Sequence, residues 1–358
     1  MRALLVISSL SVVSLQAATV AADSERGEKL FETLSCVQCH SINGKGGSVG
    51  PDLGRRLDRD FTPASLAATM WNHAPTMWAS MRSLKIPTGD LNEQAAADLF
   101  AYFYSVRFFE KPGDAGRGKR VFAEKHCAEC HDAKDPKVGE AAGQPLSLVN
   151  AMWNHASTMR EEFAKKHLGW SDLSSQDLGD LLVYLRSQPP GRNAPARLEI
   201  TSGVDGQALF QSKGCAACHA GNNELAPRLK GQTLTDIAVD MWNHEPKMPK
   251  LPAPLELNEM RELVSYLWAE DFFVDAGKAS AGERVFLSKR CTACHDNSAS
   301  GAPKLTGSGR TFSAAVMVSA LWHHGPQMLD QMKAKNIAWP RLTGANMANL
   351  VAYLNGGK

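Results

Sequence analysis

Every cysteine of this 358-residue chain belongs to a Cys-x-x-Cys-His motif, as in Cys36-Val37-Gln38-Cys39-His40. Two residues between the cysteines place both thiols on one side of a helical turn, where they can bond the two vinyl groups of a haem. The adjacent imidazole then faces the iron. A zinc site would need two such pairs for each metal ion, and a redox dithiol needs no histidine. The pattern therefore predicts four covalently attached haems c, each with a proximal histidine: Cys36, Cys39 and His40; Cys127, Cys130 and His131; Cys215, Cys218 and His219; Cys291, Cys294 and His295.

The motifs recur 76 to 91 residues apart, which indicates tandem small domains rather than a solenoid. A Gly-x-x-x-Phe segment before each motif predicts an N-terminal helix whose phenylalanine is buried against a partner helix. An amphipathic segment with a tyrosine near its end predicts the closing helix of each domain. The glycines and phenylalanines are Gly27, Phe31, Gly118, Phe122, Gly206, Phe210, Gly282 and Phe286. The closing helices are predicted over Ala96 to Tyr104, Leu178 to Leu185, Met260 to Leu267 and Ala348 to Leu354.

These landmarks divide the chain into a leader and four domains. The predicted boundaries are 1–22 for a signal peptide, then 23–110, 111–196, 197–277 and 278–358 for the first to fourth modules. The linkers fall at residues 110–113, 187–197 and 275–281, which carry proline or glycine.

A proline follows each motif in a loop. It fixes the loop backbone, and its carbonyl or that of a neighbour can accept the proton of the proximal histidine. A simple turn proline is the alternative, and it fits Pro136 best because the spacing from its motif is short. The four prolines are Pro51, Pro136, Pro227 and Pro303.

In this order of elements the chain resembles the class I cytochrome c domain, repeated four times over the whole mature sequence. The resemblance implies an all-α fold of four tandem small domains, each wrapped around one covalent haem. It agrees with domain size, because about 80 residues form a marginal core that a buried porphyrin would complete.

The sixth iron ligand is predicted from a segment with the pattern Trp-x-His-x-x-x-Met, which all four modules share. In three modules a proline two residues after the histidine should end the helix and place the methionine on the following loop, where the class I pattern has its ligand. This favours Met77, Met159, Met248 and Met328 over the alternatives His73, His155, His244 and His324. Met248 is the clearest candidate, since Pro249 follows it directly.

The tryptophans of these segments have two possible roles, as core residues or as donors to a haem propionate. For the histidines, if they are not ligands, we favour the propionate role. The tryptophans are Trp71, Trp153, Trp242 and Trp322. His126, His167 and His323 match no repeated position and are predicted to lie on the surface.

Residues 1–22 read as a secretory signal peptide, with Arg2, an apolar stretch too short for the roughly 20 residues of a spanning helix, and small residues before Asp23. We therefore expect a periplasmic or otherwise exported protein without a membrane span after cleavage. Lys and Arg total 39 against 37 Asp and Glu, so overall charge does not indicate a nucleic-acid partner.

Six-coordinate irons leave no substrate site, so the sequence predicts electron transfer between redox-partner proteins. A catalytic peroxidase or reductase with one open haem is the alternative. Module 2 would be its place, because Ser157 replaces the proline there. A third possibility, a subunit docked to a dehydrogenase or oxidase, differs only in partner.

Charge is unevenly distributed among the modules. Residues 197–277 carry 7 basic and 12 acidic residues, and residues 278–358 carry 10 and 3. Lys289 and Arg290 directly precede Cys291, so an acidic partner is predicted to dock near the fourth haem. The alternative is that the third and fourth modules attract each other within the chain.

Overall fold

The computed structural model describes residues 20–54, 61–106, 112–193, 198–249, 253–274 and 276–356. Helix accounts for 63% of the protein and strand for 1%, which confirms the prediction of an all-α fold. Within these ranges, no helix combines the length and apolar character that crossing a membrane requires. Nearly all of the predicted signal peptide, and parts of the three predicted linkers, lie outside the described residues.

The described residues of the first module form three α-helices and a small two-stranded antiparallel sheet. Its elements are α1 (Ser24–Thr33), β1 (Ser41–Ile42), β2 (Lys45–Gly46), α2 (Pro63–Ser83) and α3 (Glu93–Ser105). Helix α2 begins with a capping box between Thr62 and Ser65 and has Pro63 in its first turn, where a missing N–H costs nothing.

The second module repeats this plan with one additional short helix. Its helices are α4 (Ala115–Glu124), α5 (Pro136–Ala141), α6 (Pro145–Lys165) and α7 (Ser175–Ser187). Like α2, helix α6 has 21 residues and a proline in its first turn.

The third module has the shortest middle helix of the four. Its helices are α8 (Gly206–Ser212), α9 (Ala226–Leu229), α10 (Leu234–His244) and α11 (Leu257–Phe272). A single 3-10 turn over Glu245–Lys247 follows α10.

The fourth module returns to the plan of the first. Its helices are α12 (Ala279–Ser288), α13 (Thr292–His295), α14 (Ala314–Ala334) and α15 (Gly344–Leu354). Each predicted closing helix is present as part of α3, α7, α11 or α15.

The Gly-x-x-x-Phe segment forms the crossing between the first and last helix of each module. A Cβ on Gly27 would lie 2.1 Å from the carbonyl oxygen of Asp98, and one on Gly282 would lie 1.9 Å from that of Asn349, so the backbones approach too closely for a side chain. Phe31, Phe122 and Phe286 are buried as predicted. The prediction is wrong for Phe210, which is half-buried and lies beside His219, because α8 begins only at Gly206 and is short.

A buried carboxylate strengthens this crossing in the first two modules. The Arg26 guanidinium bonds Asp98 at 2.8 Å, and Arg117 bonds Asp180 at 2.8 Å. Each aspartate also accepts the backbone N–H at the residue before its N-terminal helix, from Asp23 or Asp114. These charge-assisted bonds satisfy the buried oxygens.

The modules pack in pairs that do not follow chain order. Helices α2 and α3 of the first module pack against α14 and α15 of the fourth, and α6 and α7 of the second pack against α10 and α11 of the third. The first and third modules are joined where the Leu234 N–H donates to the Tyr104 hydroxyl at 3.0 Å and the Tyr104 ring lies against Trp268. The described contacts therefore connect the modules in the order 4–1–3–2.

Candidate haem-binding site

Each Cys-x-x-Cys-His motif forms a single tight turn after the N-terminal helix. The first three begin as 3-10 turns at Cys36–Gln38, Cys127–Glu129 and Cys215–Ala217, and the fourth lies at helix α13. In every module the backbone N–H of the histidine donates to the backbone carbonyl of the first cysteine, at 2.9 to 3.0 Å. This bond brings both thiols and the imidazole onto the same turn, as haem attachment requires.

The first cysteine of the motif has a strongly raised thiol pKa in three modules. Burial raises the pKa of the Cys36, Cys127 and Cys291 thiols to about 11. Redox-active dithiols have a lowered thiol pKa, so this environment argues against that alternative. All eight cysteines are free of disulfides.

The proline loop orients the proximal histidine in two modules. His40 Nδ1 lies 2.9 Å from the carbonyl oxygen of Pro51, and His295 Nδ1 lies 3.0 Å from that of Pro303. A carbonyl can only accept, so Nδ1 carries the proton and Nε2 keeps its lone pair for a metal. The predicted role is confirmed for these two prolines.

The other two proline loops differ. Pro136 occupies the first turn of α5, in line with its reading as a simple structural proline. Pro227 lies within α9, and His219 Nδ1 is buried without a hydrogen-bond partner in the described residues.

The histidine of the Trp-x-His-x-x-x-Met segment faces the proximal histidine in three modules. The ring centres are 6.2 Å apart for His40 and His73, 6.3 Å for His131 and His155, and 5.7 Å for His219 and His244. Burial and the facing imidazole lower the pKa of His131 and of His244, which favours the neutral rings that bind metals. The second module is the place predicted for an open haem in the catalytic alternative, and it has the same ring pair as the first and third modules.

The prediction that a proline ends the helix before the methionine is wrong for the first and fourth modules. Pro75 lies inside α2 and Pro326 lies inside α14, so Met77 and Met328 are helical. In the first module the cause is visible. Pro75 cannot donate to the carbonyl of Trp71, but the Trp339 indole N–H donates to that oxygen at 3.0 Å.

The positions of the four methionines consequently differ. Met159 lies within α6, which has no proline at this point, whereas Met248 lies on extended backbone after the 3-10 turn, as predicted. Each of the four side chains is half-buried. Whether any of them binds iron stays a prediction.

The fourth module lacks the ring pair of the other three. His324 is exposed, and no ring contact joins it to His295 within the described residues. His323 next to it bonds Asp90 of the first module at 2.8 Å. His323 is therefore exposed as predicted but has a definite partner.

The tryptophans bind other modules rather than a propionate in three cases. The indole N–H donates to a backbone carbonyl four residues before the partner module's closing helix, at 2.8 to 2.9 Å. The pairs are Trp71 with Pro340, Trp322 with Gly89, and Trp242 with Ser171. The core interpretation also holds, since Trp153, Trp242 and Trp322 are buried.

The asparagine after the tryptophan joins one module to another, a role that sequence reasoning missed. Asn72 bonds both the N–H and the carbonyl of Leu342, at 2.8 and 2.7 Å. Asn154 does the same with Leu255, and Asn243 with Leu173. The available signal was the recurrence of Trp-Asn in three modules, together with a buried leucine two residues before each closing helix.

Of the other two histidines outside the repeated positions, one is exposed and one is half-buried. His167 is exposed, as predicted. The prediction is wrong for His126, which is half-buried against the ring of Phe163.

Comparison with known families finds matches for three of the four predicted modules. Residues 24–107 and 279–358 match the family described as Cytochrome c, and residues 202–267 match the family described as Cytochrome C oxidase, cbb3-type, subunit III. No curated protein and no solved structure matches the chain. The chain thus contains cytochrome c domains, and the matches support a multihaem c-type cytochrome that transfers electrons.

Proposed function

We propose that the chain is an exported tetrahaem cytochrome c that passes electrons between redox-partner proteins. The observation that carries the proposal is the common geometry of the four motifs, in which one hydrogen-bonded turn holds two thiols and an imidazole. The three family matches cover motifs 1, 3 and 4, and the second motif has the same turn and ring pair. Module boundaries at 23–110, 111–196, 197–277 and 278–358 belong to this proposal.

The residues present fit a haem in each module. In the first three modules a second imidazole faces the proximal one, with ring centres 5.7 to 6.3 Å apart, and the first cysteines Cys36 and Cys127 pack against the apolar core. The cysteines would hold the haem by thioether bonds, and His40, His131, His219 and His295 would bind its iron. The bound haem supplies one-electron redox chemistry.

The protein's own residues favour electron transfer over substrate chemistry. A second iron ligand from the Trp-x-His-x-x-x-Met segment would leave no place on the iron for a substrate. The cores of modules 1 and 3 meet through Tyr104 and Trp268, and each packs against one further module. This continuous packing supports transfer along the order 4–1–3–2.

Intact mass of the mature holoprotein tests the proposal. The expected mass is that of the chain after removal of the leader plus four haems, with all eight cysteines consumed. Fewer than four haems, or disulfides in place of thioethers, would contradict it. The same spectrum locates the start of the mature chain and so tests the predicted cleavage near Ala22.

A further inference from the structure

We propose that His73, His155 and His244 are the sixth iron ligands of the first three modules. This assignment rests on the proposed function, because it requires a haem in each of these modules. It gives three of the four haems two imidazole ligands, in place of the histidine and methionine that the class I pattern would imply.

The first argument is the separation of the rings. A metal–imidazole bond is about 2 Å long and the bonded nitrogen lies about 1 Å from its ring centre, so two imidazoles on opposite sides of one metal have centres about 6 Å apart. The observed separations are 6.2 Å, 6.3 Å and 5.7 Å. Edge contacts between rings also fall between about 4.5 and 7 Å, so the distance is one that ligation allows rather than one that only ligation explains. What favours ligation is that each pair joins the proximal histidine of the motif to the same position of the Trp-x-His-x-x-x-Met segment.

The second argument is the position of the methionines. In α2 and α6 the methionine follows the histidine by four residues, so both side chains lie on one helix face, about one turn or 5.4 Å apart. Only one of them can lie opposite the proximal ring. The ring pairs place His73 and His155 there, which leaves Met77 and Met159 one turn farther along, packed against the core.

In the third module the histidine is again the better candidate, although the methionine lies on a loop rather than on the same helix. Helix α10 ends at His244, and Met248 follows on the extended segment after the 3-10 turn. A loop methionine could reach an iron, but His244 has the shortest separation from its proximal ring of the three pairs. Met248 packs at the margin of the core.

The contacts between modules hold these histidines in position. Trp71 and Asn72, directly before His73, both bond the fourth module. Trp242 and Asn243 before His244 bond the second module, and Asn154 before His155 bonds the third. The turn that carries each distal imidazole is therefore fixed by the partner module, as preorganised ligation requires.

Two matched sets of variants test the assignment in the purified holoprotein. The first set is His73→Ala, His155→Ala and His244→Ala. The second is Met77→Leu, Met159→Leu and Met248→Leu, which keep the side-chain volume. The ferrous proteins are titrated with carbon monoxide, which binds iron at an open axial position, and the ferric proteins are scanned for the weak near-infrared band of sulfur-to-iron charge transfer.

Each histidine variant should gain one carbon monoxide site per chain over the wild type, and each methionine variant should gain none. The wild type should show at most one haem's share of the charge-transfer band, and the three methionine variants should leave it unchanged. A methionine variant that gains a site and loses part of the band would overturn the assignment for its module, as would a histidine variant that gains none.

The methionine variants keep the test decisive if a histidine variant fails to mature. Intact mass of every sample separates this result from the proposed function. Four haems with methionine-dependent spectra would overturn the ligand assignment alone, whereas fewer than four haems in the wild type would contradict the proposed function.

Discussion

The modules form two pairs, the first with the fourth and the second with the third. Both pairs are joined by the tryptophan and asparagine of the Trp-x-His-x-x-x-Met segment, but their long helices meet through different residues. The helices cross three residues after the tryptophan of the Trp-x-His-x-x-x-Met segment. These positions are Ala74 and Gly325 in the first pair and Ala156 and Glu245 in the second. Ala74, Ala156 and Glu245 are 0% exposed and Gly325 is buried. In the first pair both long helices continue for 21 residues. In the second, α10 stops one residue before Glu245, whose carboxylate faces Arg160 at 3.3 Å.

The two pairs also differ in whether a hydrogen bond satisfies the backbone carbonyl four residues before the proline. In both, a tryptophan before one module's closing helix stacks on the docking tryptophan of its partner: Trp339 on Trp71 at 4.9 Å and Trp170 on Trp242 at 4.2 Å. The Trp339 N–H bonds the carbonyl that Pro75 leaves open, and α2 continues. The Trp170 N–H has no partner in the described residues, and α10 ends before Pro246. In α2, a donor from another module thus satisfies the carbonyl that the proline leaves open.

The largest effect is expected from Arg160→Ala in the second pair. The Arg160 side chain is 45% exposed and Glu245 is fully buried, so removing the arginine leaves a buried carboxylate without its cation. Because the arginine itself is not buried, we take the low end of the usual cost of an unpaired buried charge, about 3 kcal/mol. Urea unfolding of the ferric holoprotein, followed by circular dichroism, measures the loss.

Glu245→Ala is the matched control for this pair. It gives the third module the alanine that Ala74 and Ala156 provide elsewhere, and replacing a buried charge by an apolar group is near neutral. Equal losses for both variants would show that the attraction within the pair is what stabilises the protein, and that a lone buried carboxylate adds no cost of its own.

The next effect is expected from Gly325→Val in the first pair. A Cβ at this position would lie 2.1 Å from the Trp78 ring, and Trp78 is 1% exposed, so the ring cannot move freely. Overpacking of this kind costs about 2 kcal/mol. The measurement is the same unfolding experiment.

Gln331→Val, at an exposed position of the same helix, controls for the change in helix propensity. A loss no larger than the control's would mean that the α2–α14 crossing can open to admit a side chain, and that the glycine there is not required for close approach.

These differences mark the limit of what the sequence predicts. The motifs, the closing helices and the N-terminal helices are local patterns with a fixed spacing, and they were predicted closely. The pairing of modules was not, because Trp71 and Pro340 lie 269 residues apart and a tryptophan beside an asparagine has no periodic signature. The passage of α2 through Pro75 was mispredicted for the same reason, since the compensating donor, Trp339, belongs to another module.

In the candidate site, too, some residues could be predicted from the sequence and one could not. Cysteines, proximal histidines and the Pro51 and Pro303 carbonyls follow from short-range spacing. The sixth ligand depends on where a helix ends and which of its faces turns toward the haem. Docking to the partner module controls both, so the histidine and methionine of one segment could not be separated from spacing alone.

A smaller effect is expected from Trp339→Phe, which keeps a stacked ring but removes the indole donor. The Trp71 carbonyl then has neither Pro75 nor Trp339 as partner, at a cost of about 1 kcal/mol beyond the loss of ring area. Hydrogen exchange should also show faster opening of α2 after Pro75.

Trp170→Phe provides the control, because the N–H that it removes has no partner. It should cost only the ring area. If both variants lose the same stability and leave exchange in α2 unchanged, the interpretation that a donor carries the helix past its proline fails.

The smallest effect concerns the charge that separates the two pairs. Residues 23–110 with 278–358 carry 19 basic and 14 acidic residues, whereas residues 111–277 carry 19 and 23, so the first pair is positive and the second negative. Most of the positive charge belongs to the fourth module, which the described contacts place at one end of the order 4–1–3–2. Lys289 and Arg290 lie directly before its haem motif, and Arg290 is exposed.

Changing Lys289 and Arg290 to Glu should slow bimolecular electron transfer to an acidic acceptor several-fold at low salt, because electrostatic steering acts on the association rate. The dependence of the rate on ionic strength should weaken, and the free energy of unfolding should stay within about 0.5 kcal/mol, as for most surface substitutions. Stopped-flow mixing measures the rate. Lys333→Glu with Lys335→Glu makes the same change in net charge away from the motif and serves as the control. Equal slowing in both double variants would mean that the acceptor responds to overall charge, and an unchanged rate in the Lys289 and Arg290 variant would place the docking surface elsewhere.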